Sequence, residues 1–176
     1  MHPEKKALGL VILLGGTAVL GSYVWGLTSI PNASTDFWGD TPRGLIPVYT
    51  ASMLAGALSF FAIISFLLGL DPATTRVGER PGYRLFTWIH LAILLPSALW
   101  MPLVAAMVAQ PGEALWWAIR ASLLVVGLAS VALVMALVRV QPRTPTWLHR
   151  LALGGSVIFT VHTLVLDALL WPAFFR

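Results

Sequence analysis

The chain contains no cysteine, so disulfides, thiolate metal sites and thiol nucleophiles are all excluded. Charge is scarce as well: Asp, Glu, Lys and Arg make up 10% of residues, where a soluble domain carries about a quarter. No H-E-x-x-H or H-x-x-E-H run is present, and Ser52 and Ser156 lie outside any G-x-S-x-G context, so zinc-protease and serine-hydrolase readings have no support. There is no 20–50-residue repeat, low-complexity tract or polar domain. What fills the sequence instead is apolar, at 58% of residues with a mean hydropathy of +0.84. That composition belongs to an integral membrane protein.

A helical span needs about 20 apolar residues to cross the hydrocarbon core. Five stretches qualify: Ala7–Leu27, Leu45–Leu70, Tyr83–Val108, Ala114–Val138 and Leu148–Trp171. They are too long and too continuously apolar for alternating barrel strands. Each must satisfy its backbone internally, so the expected fold is an all-α bundle of five transmembrane helices in one domain. Ala7–Leu27 exceeds a cleaved signal core and lacks an A-x-A site, so it reads as a retained first helix.

The net charge of +4 is read through topology rather than as a nucleic-acid signal. Lys5, Lys6, Arg76, Arg80, Arg84, Arg139, Arg143 and Arg150 fall on one side of the five spans. Only Arg43 and Arg176 fall on the other. The positive-inside rule then predicts a cytoplasmic N-terminus and an external C-terminus, in a multi-pass protein of a membrane such as the bacterial inner membrane. Trp25, Trp88, Trp116, Trp117, Trp147 and Trp171 lie near span ends, as interfacial anchors do.

Ionisable groups inside spans need a reason, because each costs about 2.5–3.5 kcal/mol on insertion scales. Asp167 and Arg120 lie at similar depths below the predicted outer surface, which points to an ion pair between the last two helices. Snorkelling of Arg120 to the interface is the competing account. Thr163, one turn before Asp167, is placed to complete the carboxylate's hydrogen bonds. On a regular α-helix His162 and Asp167 are about 140° apart, so they are not expected to share a face. His90 and His162 raise the possibility of a bis-imidazole haem, but residue counting separates them by about 10 Å in depth. Helix–helix polar contact is the plainer use of both.

Prolines Pro47, Pro96 and Pro102 remove backbone donors and are expected to kink the second and third spans, opening space beside Ser97, Trp100 and Met101. The Trp100 N–H can anchor a ligand there or satisfy a freed carbonyl. Small-residue stretches, Gly15, Gly16, Ala18, Gly21 and Ser22 in the first span and Gly154–Ser156 in the fifth, permit close helix approach. The Thr28–Gly44 connection is long enough to act as a lid over the bundle.

TPRGLIPVYTASMLAG resembles the P-P-x-W-x-F-P entry to the second helix of the TspO translocator family, with Pro42 and Pro47 matching and Gly44 at the usual tryptophan. LPSALWMPLVAAM resembles that family's L-W-x-P stretch through Trp100 and Pro102, whereas HTLVLDALLWP departs from its fifth helix. The resemblance implies a five-helix bundle, often dimeric, that binds porphyrins or sterol-like ligands under its first loop, with Trp38, Trp100 and Pro102 at the site.

Together these readings favour a non-enzymatic protein that binds or moves a small hydrophobic ligand in the outer half. Trp38, Trp100, Pro102, Arg120, His162 and Asp167 are the expected site residues. No cofactor is identified. Two alternatives stand beside it: a structural or assembly subunit of a larger membrane complex, and a membrane enzyme or proton-coupled transporter using His162 and Asp167.

Overall fold

The computed structural model describes residues 2–175; Met1 and Arg176, the latter one of the two basic residues expected outside, lie beyond it. Five helices are long and apolar enough to cross a membrane. They are α1 (Pro3–Ser29), α3 (Ile46–Gly69), α4 (Tyr83–Ala109), α5 (Glu113–Arg139) and α6, which starts at Thr146 and continues through changes of pitch to Ala173. A single helical turn in the first connection is α2 (Ala33–Asp36). The expected all-α membrane bundle is what the chain forms.

Local sequence sets the ends. Pro3 occupies the first turn of α1, where its missing N–H is spare, and the His2 imidazole accepts a hydrogen bond from the Glu4 N–H at 3.3 Å. Pro47 also lies in a first turn, so it starts α3 rather than kinking it. α4 runs without interruption through Pro96 and Pro102. The chain compensates around Pro96: Ser97 donates to the Ile93 carbonyl at 2.7 Å, and Ser122 reaches across from α5 to the Pro96 carbonyl at 2.9 Å.

Packing follows the order α1–α4–α5–α6–α3, with each helix leaning chiefly on its neighbours in that series. α1 and α3 are the two ends of the series and make no extensive contact with one another. The helices bury two apolar clusters. One lies toward the basic end around Leu8, Phe66, Tyr83, Phe86 and Leu133, and the other toward the C-terminal end around Tyr49, Met101, Val104, Ile119 and Trp171. Between them runs a belt of small hydroxyls. Within it the Thr163 hydroxyl donates to the Ser130 hydroxyl of α5 at 3.0 Å and also lies 3.0 Å from the Phe159 carbonyl.

Without a water-driven apolar force between helices in lipid, close approach depends on small residues. Gly15 faces Leu94 and Gly26 faces Met101 across α1–α4, while Gly127 faces Leu164 across α5–α6. Gly155 faces Ser59 so tightly that an added Cβ would stand 2.9 Å from the Ser59 Cβ, whereas at Gly154 it would meet nothing within 4 Å. The adjacent glycines therefore make a matched pair. Gly155→Ala is expected to lower stability by about 1–2 kcal/mol, with strain exceeding the gain in helix propensity. Gly154→Ala is expected to leave stability unchanged or raise it by up to about 1 kcal/mol. Detergent-solubilised melts of the two variants measure the difference.

Candidate functional site

The regular helix of α6 ends at Thr160. From Val161 to Leu170 the backbone is a π-helix, followed by a 3₁₀ turn at Trp171–Ala173. Ten residues is long for this conformation, which normally appears as a single turn and concentrates at functional sites. At the junction the Val161 N–H is shared between the Val157 and Ile158 carbonyls and the Thr163 hydroxyl lies against the Phe159 carbonyl, and at the far end Pro172 supplies no donor.

The wider pitch changes which side chains align. In an i→i+5 helix, residues five apart stack on one face. His162 and Asp167, which a regular helix would set about 140° apart, come together with Nε2 to Oδ2 at 3.4 Å. Thr163 and Ala168, the next such pair, form the buried stripe against α5. The expectation that His162 and Asp167 could not share a face is thus overturned by the change of helix type.

The expected Arg120–Asp167 pair does not form. Among the described residues, the ion-pair partner of Asp167 within 4.0 Å is His162. The Arg120 guanidinium instead lies 4.6 Å over the Trp116 ring and 5.9 Å from that of Trp117. The geometry explains the choice: helical side chains lean toward their own N-terminus, so Arg120 reaches the N-terminal end of α5 and snorkels along Trp116. Thr163 is likewise corrected, since its hydroxyl serves Ser130 and Phe159 rather than the carboxylate.

His162 and Asp167 are neither sealed in the core nor fully open. Their side chains are 13% and 28% exposed. At this depth the surrounding medium of a membrane-spanning helix is lipid, which makes a partly open carboxylate costly. The Asp167 carboxylate lies within Coulombic reach of the hydroxyls of Tyr23 on α1 and Tyr49 on α3, the helices at the two ends of the series. Tyr49 is fixed by donating to the Leu166 carbonyl at 3.0 Å.

Aromatic rings wall this region toward the C-terminal end. Trp100 stacks on Tyr23 at 5.7 Å and meets Trp171 edge-on at 5.6 Å, and Trp171 stacks on Phe175 at 4.3 Å. Trp38 meets Tyr49 edge-on at 5.6 Å. The Trp171 N–H donates to the Phe37 carbonyl at 3.1 Å, and the Asp40 N–H to the Phe174 carbonyl at 2.9 Å. These bonds latch the first connection onto the end of α6, where a lid was expected. Of the expected site residues, Trp38, Trp100, His162 and Asp167 are therefore brought into one region. Pro102 is exposed on α4, and Arg120 lies apart on α5.

Four buried polar atoms find no protein partner among the described residues: Thr87 Oγ1, His90 Nε2, Trp100 Nε1 and His162 Nδ1. Trp100 thus neither anchors a freed carbonyl nor bonds a side chain. His90 is sealed in the core, with Nδ1 donating to the Phe86 carbonyl at 2.7 Å and its ring 5.5 Å from that of Phe60. With Nδ1 committed as donor, Nε2 carries a free lone pair, the form in which a histidine binds a metal. No group of three or more His, Asp or Glu side chains converges among the described residues, so neither His90 nor the His162–Asp167 pair belongs to a larger ligand set.

Two wide-mouthed depressions, of about 440 and 410 Å³, lie at the loop end, lined by Met107, Pro111 and Trp116 and by Asp36, Asp40 and Phe175. They do not reach His162 or Asp167. Tyr23, Tyr49 and the His162–Asp167 alignment were missed by sequence reasoning. No protein-family model, no curated protein and no solved structure matches this chain.

Proposed function

We propose that this membrane protein takes up a small amphiphile from the bilayer through the gap between α1 and α3. Its polar group would meet the His162–Asp167 pair, and its apolar body would lie on Tyr23, Trp100 and Tyr49. The observation that carries this reading is the Asp167 carboxylate, partly open inside a spanning segment and held by one imidazole. An intramembrane acid so placed is most simply explained by something it binds. The ligand class is porphyrin-, sterol- or lipid-like, in keeping with the resemblance carried by Trp100 and Pro102. Arg120 has no part in it.

One observation favours a second reading. The aromatic wall is closely stacked, and α1 packs chiefly on α4 among the spanning helices, so a partner's helix could occupy the same gap. The chain would then be an assembly subunit. A third, a proton-coupled transporter or membrane enzyme, gains from the shared face of His162 and Asp167. Native mass spectrometry after extraction in mild detergent separates the first two. An amphiphile-sized adduct that is lost in Asp167→Asn supports the binding reading. An adduct-free chain that carries another polypeptide supports the subunit.

A further inference from the structure

The basic end of the bundle carries a built surface that the proposed amphiphile site does not use. Both connections on this side, expected as plain loops, zip into a three-stranded antiparallel sheet in the order β2–β1–β3. β1 (Arg76–Val77) pairs with β2 (Arg80–Pro81) through a two-residue turn, and with β3 (Val140–Gln141) beyond α5. Gly78 makes the turn with a left-handed φ of 66°. The sheet is tied to the bundle. The Gly78 N–H donates to the Arg139 carbonyl at 3.1 Å, and the Gly82 N–H to the Thr75 carbonyl at 3.1 Å. Gly82 lies so close to Val77 that any Cβ would stand 2.4 Å from its side chain.

This end concentrates positive charge that no ion pair among the described residues neutralises. Eight Lys and Arg side chains lie at this end, against Glu4, Asp71 and Glu79. Among the described residues the one ion pair is His162–Asp167, far from here. Arg76 donates to the Glu79 carbonyl at 3.3 Å, and Arg143 to the Val140 carbonyl at 3.3 Å and the Val138 carbonyl at 2.5 Å, so these two brace the loops. Arg80, Arg84 and Arg139 are exposed and have no hydrogen-bond acceptor among the described residues. The Arg84 guanidinium lies 5.8 Å over the ring of Trp88, which is itself exposed near the end of a spanning helix. An arginine stacked on an interfacial tryptophan stands at headgroup depth, with its fork of donors free for a phosphate.

We propose that Arg80, Arg84 and Arg139, held by the β2–β1–β3 sheet and α4, form a binding site for the phosphate of an anionic phospholipid in the leaflet at this end. The proposal is independent of the amphiphile site. Basic groups near a bilayer surface attract anionic lipid with about fivefold per residue, so three of them give on the order of a hundredfold.

The test is native mass spectrometry of the full chain titrated with phosphatidylglycerol or phosphatidylcholine in detergent. Phosphatidylglycerol adducts are expected to persist where phosphatidylcholine adducts do not, and to be shed at high salt. The triple variant Arg80→Gln, Arg84→Gln, Arg139→Gln is expected to lose on the order of a hundredfold, and Arg84→Gln alone about fivefold. The single variant alters one exposed side chain and guards against a triple variant that fails to fold. Equal retention of both lipids by the unaltered chain, or undiminished phosphatidylglycerol binding by Arg84→Gln, overturns the proposal. So does displacement of the lipid by millimolar inorganic phosphate, which would make free phosphate the ligand.

Discussion

Asp167→Asn is expected to weaken retention of the bound amphiphile by about 10- to 100-fold while making the empty protein more stable. The first half follows from removing the carboxyl partner of the amphiphile's polar group, since leaving a buried polar group unpaired costs about 1–3 kcal/mol. The second follows from what the carboxylate costs in lipid. Its side chain is 28% exposed, and one imidazole at 3.4 Å is its ion-pair partner. A poorly compensated acid in a span is unfavourable by about 2.5–3.5 kcal/mol on insertion scales, part of which asparagine recovers. If the pair were only a staple between helices, the same substitution would lower stability. His162 and Asp167 lie on one helical segment, which already argues against a staple. Their shared face predicts coupling: His162→Gln added to Asp167→Asn should cost much less than the sum of the two single effects on binding. Adduct retention and thermal melts of the four proteins measure both quantities together.

Trp171→Ala is expected to be the most destabilising single change near the site, at about 3–5 kcal/mol. Trp171 is buried, stacks on Phe175, meets Trp100 edge-on and bonds the Phe37 carbonyl. Truncation would leave a cavity where three elements meet and release the first connection. Trp171→Phe keeps most of the ring contact and loses the N–H, so it should cost only about 0.5–1.5 kcal/mol. The cysteine-free chain offers a direct readout. Ala33 is a buried residue of this connection, so Ala33→Cys should resist maleimide labelling in the parent. It should label readily with Trp171→Ala and only slightly faster with Trp171→Phe. Rapid labelling in the parent would show that the latch is not closed.

The spans were legible because lipid imposes a single rule on the backbone, and helices such as Tyr83–Ala109 follow the apolar run almost residue for residue. Gly15 of α1 and Gly155 of α6 were legible as packing sites for the same reason, but Gly16, Gly21 and Gly154, named with them, meet nothing within 4 Å, and Gly26 against Met101 was passed over. Three features were not. The His162–Asp167 pair depends on a π-helix, and no local propensity announces one; its buried Thr163 bonds Ser130, 33 residues away in sequence. Arg120 was assigned to Asp167 on depth alone, but depth says nothing of azimuth, and two adjacent tryptophans offered a nearer resting place. The sheet at the basic end joins strands that are two residues long and lie on either side of two spans, too short for any periodicity to register.

Those same limits explain the shift in the site itself. Trp38, Trp100, His162 and Asp167 were identified from their chemistry, as polar or aromatic groups that lipid tolerates poorly or uses at its interface. Tyr23 and Tyr49 became visible only when the helix order placed α1 and α3 on either side of Asp167.

The most direct test of the amphiphile gap is photo-crosslinking in a bilayer nanodisc with a diazirine-bearing sterol, mapped by peptide mass spectrometry. Cross-links are predicted to concentrate on the α1 segment around Tyr23 and the α3 segment around Tyr49, and to fall to background in Asp167→Asn. Labelling spread evenly over every lipid-facing helix, and unchanged in that variant, would contradict the account.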